Sequence, residues 1–249
     1  LTPSEAFAPR IILRTASGWT QPGYTHEQTF AEFAVAIKGA RDKGWAETKE
    51  VATAEEIEQI TDALAPMPLD IGNIAALPKR EWVYGRHYIR KFLSVTVAAG
   101  GTGKTALTLT EAMAMASGIP LLGTETPKRK VWVWNLEDPL DELKRRLAGI
   151  AVHHQIDADD YAGNLFVNSG RDSSVVIAEN RGGEPMILPA ADIILNYIKQ
   201  HAIDVIIVDP FVSSHKLNEN DNGAMDLVVK TWGKIAERGN CAVELVHHV

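Results

Sequence analysis

The chain has 249 residues, of which 45% are hydrophobic and 23% are charged, and its formal net charge is −7. This composition is typical of a soluble globular protein, and the length suits one large α/β domain or one domain with a smaller appendage. The acidic balance excludes a protein that coats nucleic acid through bulk electrostatics, so any contact with nucleic acid has to be local. No stretch approaches the long uncharged run of a membrane span, and we expect no membrane partner.

The cysteine content bears on the cellular compartment of the protein, and the first residue bears on whether the sequence is complete. A single cysteine, Cys241, excludes an intramolecular disulfide and favours a reducing, cytoplasmic compartment. The sequence opens with Leu1 and lacks the pattern of a secretory signal, so we expect it to be incomplete at its ends.

Residues 1–75 differ in composition from the rest of the chain. FAEFAVAIKGARDKGW and TAEEIEQITDALA space their apolar residues as amphipathic helices do, and Thr53 followed by Glu56 fits a capping box. PMPLDIGNIAALPKR then concentrates Pro, Gly and Asp, which favours a linker. We therefore predict a helical N-terminal arm or partial domain over residues 1–75 and a second domain over residues 76–249.

The stretch PKREWVYGRHYIRKF combines basic and aromatic residues. They are Lys79, Arg80, Trp82, Tyr84, Arg86, His87, Tyr88, Arg90 and Lys91. This mixture is used for stacking on the bases of single strands, but it also fits a half-buried strand with a charged outer face.

From Phe92 onward, short β-branched runs alternate with helical patterns. The predicted strands are FLSVTV, VWVWN, LFVNS, DVIIVD and CAVELV, and a helical pattern separates each from the next. Such a repeat predicts an α/β fold with a buried, mostly parallel central sheet flanked by helices.

The stretch VTVAAGGTGKTALT, residues 95–108, fits the phosphate-loop pattern G-x-x-x-x-G-K-[ST] except that Ala98 replaces the first glycine. An alanine is acceptable there if its φ is negative, whereas Gly101 and Gly103 lie where the backbone must approach phosphate. We expect Lys104 to reach the β- and γ-phosphates and the Thr105 hydroxyl to bind Mg²⁺. The predicted ATP-binding set is Ala99, Gly100, Gly101, Thr102, Gly103, Lys104, Thr105 and Ala106. The alternative is a glycine-rich turn with a surface lysine.

Acidic residues follow two of the predicted strands. Asp209 ends DVIIVD, where its carboxylate could hold Mg²⁺ at the same sheet edge as the loop, or simply form an Asp-Pro turn. Glu137 and Asp138 follow VWVWN, and we favour Glu137 as the base that activates water. The alternative is an acidic first turn of the helix that Pro139 opens.

Polar residues also follow the last predicted strand and DVIIVD. VELVHH ends in His247 and His248, which could hydrogen-bond a γ-phosphate and report its loss, although a solvated strand end or metal ligation also fits. SSHKLNENDNG could sense nucleotide or face DNA, or could be a solvated loop in which Asp221 or Asn222 caps the next helix.

Taken together, VAAGGTGKT, WVWNLEDP, DVIIVDPFVSSHKLNENDNGAMD and VELVHH resemble, in order and spacing, the RecA-like ATPases of the plasmid replicative helicase RepA type. The resemblance covers residues 82–249, and an alanine at the first loop position also occurs in that family. It implies a RecA-like P-loop NTPase core, Lys104 and Thr105 as phosphate and metal residues, and Asp209 as the metal acid. It also implies Glu137 as the catalytic carboxylate and His247 or His248 as sensor.

The resemblance further implies Mg²⁺-dependent ATP hydrolysis, a ring that is often hexameric, and loops that grip single-stranded DNA. We expect the ATPase core to be incomplete at its C-terminal end, with the arginine finger beyond Val249. Residues 1–75 have no counterpart in the family and fit either an arm that docks on a neighbouring subunit or the end of a larger domain. Alternative functions are a recombinase or clock-type relative without helicase activity, a regulatory ATP switch and, less favoured, a small-molecule kinase.

Overall fold

The computed structural model describes residues 64–171 and 175–248. The helices predicted within residues 1–75 lie almost entirely outside this range, so the N-terminal arm stays a prediction. Residues 75–249 belong to one compact unit. Within the described ranges, no helix combines the length and the apolar character needed to cross a membrane.

The described chain alternates strands and helices after a short hairpin. In chain order, the elements are β1 (Trp82–Tyr84), β2 (Tyr88–Ile89), β3 (Leu93–Ala98), α1 (Lys104–Ser117), β4 (Val131–Asn135), α2 (Leu140–His154), α3 (Ala158–Tyr161), β5 (Leu165–Ser169), β6 (Ala178–Arg181), β7 (Glu184–Ile187), α4 (Ala190–His201), β8 (Val205–Asp209), β9 (His215–Lys216), α5 (Asn222–Gly239) and β10 (Ala242–His248).

The central sheet has five strands in the order β3-β10-β8-β4-β5, and every neighbouring pair is parallel. All five predicted strands are present, which confirms the predicted RecA-like P-loop α/β fold. Because the strands are parallel, their carboxyl ends lie at one edge of the sheet, and loops that follow the strands gather there.

Two apolar layers enclose the sheet. On one face, α1 packs against the side chains of Val133, Ile207 and Val246, and α2 lies beside α1. On the other face, α4 and α5 cover Trp134, Val208 and Leu245. Successive side chains of a strand point to opposite faces of the sheet. A residue at the end of a strand therefore lies on the α1 face or on the α4–α5 face, according to its position in that strand.

A second, three-stranded sheet was not predicted from the sequence. Strands β6 and β7 form an antiparallel hairpin, and β9 pairs with β6 in parallel. The stretch SSHKLNENDNG, residues 213–223, contains the short strand β9. Its first two residues end a 3₁₀ helix (Phe211–Ser214), residues 217–221 lie between β9 and α5, and its last two residues begin α5. Asp221 caps α5 by accepting hydrogen bonds from the N–H groups of Gly223 and Ala224. Of the two predicted caps, Asp221 and Asn222, the structure therefore confirms Asp221.

The basic and aromatic stretch before β3 is a short antiparallel hairpin, which corrects the expectation of a single strand. Tyr84 and Tyr88 are buried, and the Tyr88 hydroxyl donates a hydrogen bond to Glu111 of α1 at 2.7 Å. His87 Nε2 lies 3.1 Å from the other oxygen of Glu111. The two tyrosines therefore anchor the hairpin to α1 and are not presented for stacking on bases.

A second buried carboxylate, Glu244 of β10, belongs to the same polar cluster. Burial raises the pKa of Glu244, although the hydroxyl of Ser94, which donates to it, opposes that shift. The hydrogen bond to Glu111 raises the pKa of His87 against the opposing effect of burial. His87 is half-exposed, whereas its partner Glu111 is buried, so solvent can reach the imidazole ring.

We predict that this cluster makes stability decrease as pH rises through neutrality. A His with a raised folded pKa contributes its full stabilisation below its unfolded pKa of about 6.5 and loses it as pH rises through the folded value. Thermal denaturation from about pH 6 to about pH 8 should show a smaller fall in melting temperature for His87→Asn than for the wild type. The exposed His153 of α2 provides the control, and equal pH slopes for His87→Asn and His153→Asn would contradict the assignment.

Candidate functional site

The loop that joins β3 to α1 is the predicted phosphate loop. Gly101 and Gly103 adopt φ of 74° and 94°, in the left-handed region where a side chain is strained. A Cβ added at either residue would meet no atom within 4 Å, so the loop surrounds open space. Ala98 ends β3 in extended conformation, which confirms that this position needs no glycine.

We predict that the two types of loop glycine respond differently to alanine. Gly103→Ala should lower the free energy of unfolding by about 1–2 kcal/mol, because alanine disfavours its left-handed φ. Gly100 does not have a positive φ, so Gly100→Ala should leave the stability within about 0.5 kcal/mol of the wild type. Urea denaturation measures both values, and equal losses would contradict the strain argument.

Lys104 is the first residue of α1 and is buried across the loop. Its Nζ donates hydrogen bonds to the carbonyl oxygens of Ala98 at 2.6 Å and Ala99 at 2.8 Å. The Thr102 hydroxyl donates to the same Ala99 oxygen at 2.9 Å and closes the loop. An ammonium group has three donors, so Lys104 is held in the loop with one donor to spare.

Asp209 lies at the carboxyl edge of the sheet, directly opposite Asn135 in the pairing of β8 with β4. Only 2% of Asp209 is exposed, and its Oδ2 has no hydrogen-bond partner among the residues that the structure describes. Burial raises the pKa of this carboxyl group, an effect that the Thr105 hydroxyl and His248 oppose. An unpartnered, buried carboxylate oxygen beside a threonine hydroxyl is available to bind a cation.

The turn after β4 distinguishes Glu137, the favoured base, from its neighbour Asp138. Asn135 Oδ1 accepts hydrogen bonds from the backbone N–H groups of Glu137 at 3.1 Å and Asp138 at 2.8 Å. The carboxylate of Asp138 pairs with Arg146 at 3.2 Å. The exposed Glu137 carboxylate forms no hydrogen bond or ion pair with the described residues. Glu137 is therefore the acid that is free to contact a ligand.

The two histidines at the end of β10 point to opposite faces. His248 shares its face with Val246, which packs against α1, and it pairs in register with Ala98 beside the loop. His247 shares the other face with Leu245, and its ring contacts Phe211 at a centroid distance of 6.0 Å. The nucleotide face therefore carries His248, while His247 lies outside the group formed by the other predicted site residues.

The site brings together the loop lysine, a hydroxyl, two carboxylates and an imidazole. Thr105, Glu137 and His248 are all close enough to influence the ionisation of Asp209. Among the described residues, no three His, Cys, Asp or Glu side chains form a metal cluster. One carboxylate and one hydroxyl nevertheless suit Mg²⁺, which keeps several waters and takes its other ligands from phosphates. The residues present therefore fit Mg²⁺ and ATP.

This geometry agrees with a comparison against protein families. A model that describes an AAA domain matches residues 61–249, which is more than half of the chain. The chain belongs to the AAA domain family. Membership of this family indicates an ATPase in general, and therefore a protein that binds a nucleotide. Comparison with curated proteins found no match.

Sequence reasoning missed two residues of this site in the AAA domain. Asn135 organises the acidic turn, and an asparagine two residues before an acid is a signal for such a side-chain-to-backbone turn. Arg146 selects Glu137 over Asp138 as the free carboxylate. The pairing of Arg146 with Asp138 depends on the helix that follows Pro139, so the motif alone did not indicate it.

Proposed function

We propose that this AAA domain is a Mg²⁺-dependent ATP hydrolase of the RecA-like, RepA-type group and acts as a DNA helicase or replication motor. The observation that supports the proposal is the convergence of Thr105, Glu137 and His248 on the buried Asp209, next to the Lys104 loop.

Each residue has a distinct task in this proposal. Bound Mg²⁺-ATP supplies the phosphoryl group that is transferred to water. Lys104 leaves the two loop carbonyls that hold it and stabilises phosphate charge, and the N–H groups of the loop bind phosphate oxygens. Asp209 and the Thr105 hydroxyl would hold Mg²⁺. The free carboxylate of Glu137 orients a water and accepts its proton.

His248 would report the state of the nucleotide. It lies on the face of Asp209 and beside Ala98, so its imidazole is placed to hydrogen-bond the terminal phosphate. The proposal includes a homohexameric ring and single-stranded DNA as partner, and both rest on the resemblance of the four motifs to RepA-type helicases. The net charge of −7 predicts DNA binding that is weak and sensitive to salt.

A regulatory ATP switch is the second candidate. Glu137 is exposed, and no hydrogen bond within the described ranges orients its carboxylate. A base without fixed orientation activates water poorly, which suits a protein that binds ATP and hydrolyses it slowly.

ATP turnover at low salt, measured with and without single-stranded DNA, separates the two candidates. Turnover that rises with DNA supports the motor. Tight ATP binding with slow turnover that does not respond to DNA would overturn the motor and favour the switch.

A further inference from the structure

A groove of about 270 Å³ lies between α4 and the edge strand β5, on the sheet face opposite α1. Its lining consists of Trp132, Phe166, Asn168, Tyr197, His201 and Ile203. Trp132 and Phe166 are the second residues of β4 and β5, near the amino ends of these strands. The Lys104 loop lies at the opposite, carboxyl edge, so the groove is separate from the proposed ATP site.

The groove is open because the two faces of β5 are covered unequally. On the α1 face, α2 packs against β5. On the other face, Asn168 is exposed and Tyr197 keeps 49% of its surface in contact with solvent. Tyr197 is therefore open to a ligand in the groove.

The aromatic side chains form walls that hold one another in place. The rings of Trp132 and Tyr197 meet edge to face, with centroids 6.4 Å apart and an interplanar angle of 87°. Phe166 and His201 are 5.6 Å apart. These contacts restrict ring rotation and leave flat surfaces on which another planar ring can stack.

The polar groups of the groove are mainly donors. Trp132 Nε1 donates to Asn168 Oδ1 at 2.8 Å, which uses one of the two lone pairs of the amide oxygen and leaves both N–H donors of the amide. At the rim, Lys130 Nζ donates to the carbonyl oxygen of His201 at 3.1 Å and carries positive charge. The described residues that line the groove include no carboxylate. A ligand that supplies hydrogen-bond acceptors and negative charge is therefore favoured over a cation.

We propose that the groove binds an unpaired base of a single-stranded nucleic acid, an inference that rests on the single-stranded DNA partner of the proposed function. Sites for drug-sized ligands usually measure about 300–1,000 Å³, so this smaller groove suits one planar ring system. The nucleobase offers a flat face for stacking and hydrogen-bond acceptors for the amide group of Asn168. The negatively charged phosphate backbone of the strand can pair with the ammonium group of Lys130. Binding at this groove does not require ATP hydrolysis.

Binding of a fluorescein-labelled oligothymidylate to the full chain, measured by anisotropy at low salt without ATP, tests the proposal. Tyr197→Ala and Asn168→Ala should each weaken binding, the first by about fivefold or more, because stacking on an aromatic ring is lost. Val152, which is 80% exposed on α2 at the other face, provides the control, and Val152→Ala should bind as the wild type does. Thermal denaturation shows whether each variant remains folded.

Unchanged oligothymidylate binding in folded Tyr197→Ala and Asn168→Ala would overturn the proposal. Equal competition by free thymidine would overturn it as well, because the groove would then serve free nucleosides. Displacement of the oligonucleotide by an apolar peptide, with no response to salt, would assign the groove to a protein partner. Binding of a fluorescent ATP analogue, measured separately, reports on the ATP site. A chain that does not bind the ATP analogue can therefore still be tested for oligothymidylate binding at the groove.

Discussion

Glu137→Gln should reduce ATP turnover by about 10²–10⁴-fold while ATP binding is retained, because an amide cannot accept the proton of the attacking water. Single-turnover hydrolysis and the affinity for a fluorescent ATP analogue together measure this separation. The exposed position of Glu137 means that the substitution should not change the melting temperature.

Asp138→Asn is the matched control for this prediction. Asp138 follows Glu137 in the same turn, but its carboxylate is paired with Arg146 at 3.2 Å. Its substitution should weaken that ion pair and leave the turnover within a few-fold of the wild type. If Asp138→Asn abolishes turnover and Glu137→Gln does not, the two acids have the opposite roles.

Asp209→Asn should lower Mg²⁺-dependent turnover by about 10²-fold or more and at the same time raise the melting temperature. Burial raises the pKa of Asp209, so the carboxyl group is harder to ionise in the folded chain than in the unfolded chain. Its contribution to stability is therefore largest below its unfolded pKa and decreases as pH rises through the folded value. A neutral amide removes this cost at neutral pH.

Turnover across a Mg²⁺ titration, together with thermal denaturation near neutral pH, measures both effects. Asp226 of α5, which pairs with Lys230 at 2.6 Å on the surface, provides the control. Asp226→Asn should leave turnover and its Mg²⁺ dependence unchanged. An Asp209→Asn protein that retains Mg²⁺-dependent turnover would contradict the role of Asp209 as metal ligand.

The parallel sheet was predictable because each of its strands is a short, continuous apolar run. VIIV of β8 is buried on both faces, and this pattern distinguishes a central parallel strand without knowledge of its neighbours. The glycine-rich turn between β3 and α1 was predictable for a related reason, since its spacing, the preceding strand and the following helix are all local in sequence.

Features that depend on distant residues were not predictable. The stretch around Tyr84 and Tyr88 looks like one amphipathic strand, and its hairpin becomes apparent only when Glu111 of α1 accepts the Tyr88 hydroxyl. The parallel pairing of β9 with β6 joins segments that local patterns do not relate. The sequence also did not indicate which of His247 and His248 lies on the α1 face. The face of each depends on how Leu245 and Val246 of β10 pack against the helices.

In the proposed function, the Lys104 loop binds ATP for hydrolysis. Mg²⁺-dependent ATP turnover of the full chain, compared between the wild type and Lys104→Ala, tests it most directly. We expect turnover in the wild type and a loss of about 10²-fold or more in the variant, because the lysine that stabilises phosphate charge is absent. Equal turnover in the two proteins, or ATP binding that does not change in Lys104→Ala, would contradict the assignment of this loop as the nucleotide site.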